Sequence, residues 1–213
     1  MKIVSLSVGL PQTLTYFGHE VQTGGNKTPV AEAFLSRTGF AGDGQADLQN
    51  HGGPDKAVCV YPFEHYAFWE NWLGEGLPPS AFSENWTTSG LVESEVCLGD
   101  VWRVGEVRVQ VSQPRAPCSK LAGKRGQKVL PEKIHETSFS GFYLRVLEEG
   151  VVRAGDPVEL LARDAAGVTI QFINQLYYYQ RTTPEDFERA LAVPALAEAG
   201  RRILTKRRTA VRG

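Results

Sequence analysis

Nineteen of the 22 glycines lie at or before Gly155, and all but two of the 12 prolines lie at or before Pro157. Glycine and proline supply the tight turns and left-handed corners between short strands, so the chain reads as strand-rich up to that point and helical beyond it. The 213 residues, at roughly 150 per domain, leave room for one full domain and a small annex. We divide the chain as 1–163 and 164–213. Hydrophobic residues at 42% and charged residues at 22% are those of a chain able to bury a real core.

The fold class expected is mainly β with helices (α+β). Ile3–Val8 opens as a strand, Lys56–Tyr61 is a compact apolar strand, and Val107–Ser112 alternates with period two, its valines inward. Pro62 suits the first position of a short helix in which Phe63, Tyr66, Ala67, Glu70 and Leu73 share one face, and Gly74 ends it. Gly99-Asp100 and Gly155-Asp156 read as hairpin corners in a barrel. Three short helices follow: one within Thr169–Gln180, one capped by Thr183 and broken by Pro194, and one from Ala195 to about Lys206. They are too small to stand alone and must pack on the barrel or on another subunit.

Basic and acidic residues number 23 and 24, for a net charge of −1, so nothing global marks nucleic acid or an anionic membrane as the partner. Apolar stretches are far shorter than the ~20 residues that cross a bilayer, and the residues after Met1 lack a secretory h-region. Three cysteines without a Cys-x-x-Cys pair argue against a disulfide framework or a tetrahedral zinc site and fit a reducing cytoplasm. The last 13 residues, from Arg201, carry six basic residues and no acid, which reads as a solvated helix face before it reads as a nucleic-acid contact.

Cys118 draws attention because it follows a strand in the proline-stiffened loop Gln113-Pro114-Arg115-Ala116-Pro117-Cys118-Ser119-Lys120. Arg115, Lys120, Lys124 and Arg125 surround it with positive charge, which favours the thiolate that acts as nucleophile or soft-metal ligand. Cys59 and Cys97 sit in apolar strands and read as small buried hydrophobes. A second cluster, Gly42-Asp43-Gly44 followed by His51-Gly52-Gly53-Pro54-Asp55-Lys56, has the glycines and cations of an anion cradle, and equally those of ordinary turns. It is neither a Walker nor a Rossmann loop. Glu84-Asn85 beside Trp86 reads on its own as a cap-rich turn.

In order, these pieces resemble the MOSC domain, and within it the YiiM-like proteins with a three-helix C-terminal region. The resemblance rests on Thr23-Gly24-Gly25-Asn26-Lys27-Thr28-Pro29-Val30, on Gly42-Asp43-Gly44-Gln45-Ala46-Asp47 running into His51-Gly52-Gly53-Pro54-Asp55-Lys56, and on Tyr61-Pro62-Phe63-Glu64-His65-Tyr66. It continues through Glu84-Asn85, Leu98-Gly99-Asp100, Ser112–Leu121 and Gly141–Val146 with Gly155-Asp156. It spans about residues 3–163 and is weaker in the helical end.

The resemblance implies a β-barrel that binds the molybdopterin form of the molybdenum cofactor, with Cys118 as protein ligand to the metal. It also implies reduction of N-hydroxylated compounds, such as N-hydroxylated nucleobase analogues, with electrons from a separate flavoprotein or haem protein. A donor must protonate the leaving oxygen, and His51, oriented by Asp55, suits that role. Lys56, Arg115, Lys120 and the Gly52-Gly53 amides are expected on the cofactor's phosphate, with Glu84, Asn85 and Ser119 completing the cofactor-binding set. No iron–sulfur or haem motif accompanies them, so electrons must arrive through a partner. The alternative is a carrier, with Cys118 holding sulfur or passing on the cofactor. The apolar faces of the short helices also leave room for a homodimer.

Overall fold

A computed structural model describes residues 1–178 and 180–212, with Arg212 described by its backbone alone. Tyr179, inside the expected segment 169–180, and Gly213, at the end of the basic tail, lie outside the described residues.

Thirteen strands and seven helices are described. The first half contains β1 (Lys2–Val8), β2 (Gln12–Tyr16), β3 (His19–Thr23), β4 (Thr28–Val30), β5 (Glu32–Ser36), β6 (Gly39–Phe40), α1 (Leu48–His51), β7 (Val58–Pro62), α2 (Tyr66–Leu73) and β8 (Trp86–Ser89). Then follow β9 (Val101–Val104), β10 (Val107–Pro114), α3 (Ser119–Lys124), α4 (Leu130–Thr137), β11 (Phe142–Glu148), β12 (Gly150–Arg153) and β13 (Val158–Ala162). Helices α5 (Ile170–Tyr177), α6 (Pro184–Leu191) and α7 (Glu198–Arg212) end the chain.

Eight strands form one sheet in the order β13-β9-β10-β11-β7-β8-β1-β4. Its two ends meet. The N-terminal half of β1 bridges Lys2 to Pro157, with Ile3 N–H donating to Asp156 O (3.0 Å) and Val158 N–H to Met1 O (3.0 Å), so the sheet closes on itself. β7 and β8 run parallel, as their connection through α2 permits, and the other pairs are antiparallel. Ile3, Leu6, Val58, Val60, Trp86, Val109, Val111 and Leu144 fill the interior. The valines of β10 alternate inward as their period requires. The chain is thus α+β, a barrel followed by three helices.

Several expected details move. Lys56 ends a 3-10 turn begun by Pro54 and lies outside strand β7. Phe63–His65 likewise form a 3-10 turn, which re-registers α2 so that Tyr66 and Trp69 are buried while Phe63 and Ala67 face solvent. Gly99-Asp100 and Gly155-Asp156 make turns but join no hairpin: β12 pairs with β5, whereas β13 pairs with β9. A hairpin with no clear signal joins β2 to β3 at Phe17-Gly18, where φ of +50° and +82° gives the primed turn that suits a two-residue loop.

Thr169 and Thr183 cap α5 and α6 through the N–H groups of Phe172 (3.1 Å) and Asp186 (3.3 Å). The three helices share a core of Leu98, Ile173, Leu176, Phe187, Leu196 and Leu204. They dock on the barrel through Ala197 N–H to Ser112 O (3.0 Å), Ile170 N–H to Val96 O (2.9 Å) and Asn174 Nδ2 to Ser140 Oγ (2.8 Å). Two of the tail's basic side chains bind within this unit: Arg201 donates to Leu191 O (2.6 Å), and Arg208 pairs with Glu188 (2.6 Å). Among the described residues no helix is long and apolar enough to cross a membrane.

Candidate active site

Beside the barrel opens a cleft of about 690 Å³, mouth included. The loops after β3 and β6 form one wall, and the segment from Arg115 to Leu121 forms the other, with Cys59, Asn85 and Tyr143 also lining it. The loops approach each other because Gly24 has no side chain: a Cβ there would stand 1.9 Å from the Gly44 carbonyl oxygen.

Cys118 reaches the cleft at the end of the extended segment that leaves β10 and immediately precedes α3. Burial pushes its thiol up. The nearby His51 imidazole, the charge of Arg115 and the Leu121 N–H together outweigh that and bring it down to about 7. His51 is the last residue of α1, and its Nδ1 lies 3.7 Å from Asp47 Oδ2, one turn back.

Asp55 does not orient His51. Its carboxylate pairs with Arg145 Nε (2.8 Å) and its carbonyl accepts from Ser112 Oγ (2.6 Å), both of which draw it toward β10 and β11 and out of the cleft.

Arg115 is buried at 7% exposure, and its Nη1 has no hydrogen-bond partner. Burial works against the guanidinium charge, but Cys59, Tyr143, Cys118 and Glu84 around it more than compensate. Lys56 and Lys120 line the cleft with their ammonium groups tied to Asn50 O (2.5 Å) and Gln22 O (2.8 Å). Burial, with Arg202 adding, pushes Lys56 below its usual value. Lys124 bridges the wall, donating to Gly25 O (2.8 Å), Ser80 O (2.6 Å) and Ser83 Oγ (3.3 Å), and burial pushes it down to about 7. Among charged lining residues Asp47 is the lone acid against Lys27, Lys56, Arg115 and Lys120, so the cleft is cationic.

Other members of the expected set stand elsewhere. Glu84 is fully buried beneath the site, accepting from Tyr66 Oη (2.5 Å), Thr87 Oγ1 (2.8 Å) and Phe82 N–H (3.0 Å). Asn85 touches the cleft, but its amide is committed to Cys59 N–H (3.1 Å), Asp43 Oδ2 (3.0 Å) and Ser7 O (3.2 Å). Asp43 in turn pairs with Lys27 in a buried ion pair. Gly52 closes α1, Gly53 turns at φ +97°, and Ser119 opens α3 exposed; none of the three lines the cleft. The glycines that do are Gly24, Gly25 and Gly44. Sequence reading missed Cys59, Tyr143 and Asp47; for the last, the available signal was its i, i+4 spacing to His51 on a capped turn.

The family model for the MOSC domain matches residues 47–159, and the model for the YiiM-like 3-alpha helix domain matches residues 168–210. The chain is 51% identical over 207 residues to the uncharacterized protein YflK of Bacillus subtilis (strain 168), covering 97% of this chain and 94% of that one. It is 37% identical over 180 residues to protein YiiM of Escherichia coli (strain K12), covering 83% and 80%. A protein named Reductase from Gibberella moniliformis is 34% identical over 137 residues, a match that spans 61% of this chain and 24% of that one. The crystal structure of YiiM from Geobacillus stearothermophilus superposes with a TM-score of 0.82 at 40% identity, covering 97% and 98% of the two chains. That of YiiM from Escherichia coli gives 0.79 at 30% identity, with coverage of 99% and 94%. The barrel and the three C-terminal helices fall where the two family models match, and the chain belongs to the MOSC-domain family, in its YiiM-like group with the three-helix C-terminal region.

Proposed function

We propose that this chain is a molybdenum cofactor-dependent reductase of N-hydroxylated compounds, N-hydroxylated nucleobase analogues among them, with a detoxifying role in the cytoplasm. The observation that carries the reading is the pairing of a low-pKa Cys118 thiol with a buried, unpartnered Arg115 N–H in one cationic cleft. An orphaned buried N–H calls for an anionic or oxygen-rich occupant, and a thiolate suits a soft metal. The donor set therefore fits the molybdopterin form of the cofactor. The name of the Gibberella relative supports the reaction class.

When bound, the cofactor supplies a redox metal that accepts oxygen and passes two electrons. Cys118 provides the protein ligand, held in place by the turn into α3. Lys56 and Lys120 at the wall neutralise phosphate charge, and Arg115 donates its free Nη1–H inside the cleft. His51, which lines the same cleft as Cys118, would pass a proton to the leaving oxygen. The balance is R–NHOH plus two electrons and two protons giving R–NH2 and water, the electrons coming from a separate flavoprotein or haem protein.

A carrier of sulfur or of cofactor through Cys118 is the second reading. It needs only a thiol, whereas here Arg115, Tyr143 and Cys59 shape a recess for a bound molecule. Protein from a cofactor-competent host, supplied with a reduced viologen dye and an N-hydroxylated purine, should form the aminopurine, and Cys118→Ser should not. Cyanide-releasable sulfur on a wild-type preparation inactive in that assay would replace the reductase with the carrier.

A further inference from the structure

We propose that Tyr16 is a specificity-determining residue, its ring the surface at the cleft rim on which the flat heterocycle of an N-hydroxylated substrate lies. The substrate class rests on the reductase reading above; the availability of the ring does not.

Tyr16 is the last residue of β2, just before the Phe17-Gly18 turn. The hairpin alternates with period two: Thr13 and Thr15 are exposed, whereas Leu14, Tyr16 and Val21 are half-buried. β2 and β3 pair with each other alone, and Lys120 Nζ, donating to Gln22 O (2.8 Å), ties them to α3. Tyr16 makes a second tie. A Cβ on Gly123 of α3 would stand 2.7 Å from the Cβ and Cγ of Tyr16, so a side chain at that position would push the ring away, and the glycine seats it. Gly123 lies four residues past Ser119, about 6 Å along the helix that follows Cys118. That separation is comparable with the length of a bicyclic base, so a base lying on Tyr16 can present an exocyclic nitrogen toward Cys118.

The cleft has a second tyrosine, but its ring is taken: Tyr143 is buried, with the Lys56 ammonium 6.0 Å from its ring centre. Among the described residues the Tyr16 hydroxyl has no hydrogen-bond partner, and no aromatic ring or cation stands over its face. A seated, half-exposed aromatic without a partner offers that face to a planar ring, a contact worth on the order of 10-fold in affinity.

The test compares Tyr16→Phe, which keeps the ring, with Tyr16→Leu, which removes it, both in the full chain loaded with cofactor. Both should match wild type in thermal midpoint and in molybdenum and pterin content. With an N-hydroxylated purine, Tyr16→Leu should raise KM at least ~10-fold with kcat within about two-fold, while Tyr16→Phe stays within about two-fold in KM. Equilibrium dialysis of adenine, which carries the product's ring, should repeat that order without turnover: Kd weakened at least ~10-fold in Tyr16→Leu and within about two-fold of wild type in Tyr16→Phe. Equal KM and equal adenine Kd in wild type and Tyr16→Leu would overturn the proposal. So would a loss of molybdenum and pterin in Tyr16→Leu, which would make Tyr16 a cofactor contact. If wild type reduces no N-hydroxylated purine, the reductase reading falls, and the adenine series alone decides the place of Tyr16, wild type that binds no adenine counting against it.

Discussion

Cys59 stands directly opposite Tyr143 in the β7–β11 ladder, and both line the cleft that Cys118 enters from the loop after β10. Two thiols thus share one cavity under opposite influences. Burial pushes Cys59 up, whereas His51 and Arg115 overcome the burial of Cys118 and bring it to about 7. A lowered thiol pKa means that thiolate is present above that value and lost as the pH falls through it. In protein prepared without cofactor, alkylation of Cys118 by iodoacetamide should therefore rise with a midpoint near pH 7, with Cys59 unlabelled there. Peptide mass spectrometry checks this. Labelling of Cys59 first, or a Cys118 midpoint at the ordinary thiol value, contradicts it.

The same placement separates two Cys59 substitutions. Cys59→Val adds a methyl group toward the open cleft, so thermal stability should hold while molybdenum and pterin content fall several-fold. Cys59→Ser should lose about 1–3 kcal/mol, from a buried hydroxyl without a partner, and retain cofactor. Equal cofactor content in both variants would place Cys59 outside the binding surface.

Glu84 and Asn85, read from sequence as cofactor contacts, instead hold the floor together. Glu84→Gln puts an NH2 group where three donors converge and should cost about 1–3 kcal/mol in urea denaturation, leaving cofactor content per folded molecule unchanged. Loss of cofactor at wild-type stability would restore Glu84 to the site.

The basic tail makes a related contrast. Arg201 donates to Leu191 O (2.6 Å) and Val193 O (3.2 Å) where α6 ends, so Arg201→Ala should lower stability by about 1–3 kcal/mol through unpaired carbonyls. Binding of nucleic acid by wild type, abolished in this variant at unchanged stability, would reverse that assignment.

Strand β10 and the Thr183 cap were legible because each rests on a local rule, period two in one case and a side-chain oxygen over the first turn in the other. Cys118 was legible from its basic loop. Cys59 was not, since all five residues of β7 are buried and no alternation marks the one that faces a cavity. The Asp47–His51 contact depends on a four-residue helix, too short for any periodicity to reveal, and Asp55 beside the His-Gly-Gly turn drew the assignment away from it. Gly52-Gly53 looked like the cradle, while the glycines that admit a ligand are those where loops after β3 and β6 meet, a long-range fact.

The central claim is that Cys118 holds a molybdenum cofactor in this cleft. Its most direct test is metal analysis with pterin fluorescence on wild type and Cys118→Ser, both purified from one cofactor-competent host. Wild type should carry molybdenum and pterin at about one equivalent each, and Cys118→Ser, folded to the same thermal midpoint, should carry little molybdenum because a hydroxyl is a poor ligand for a soft metal. Molybdenum absent from wild type, or retained in full by Cys118→Ser, would contradict it.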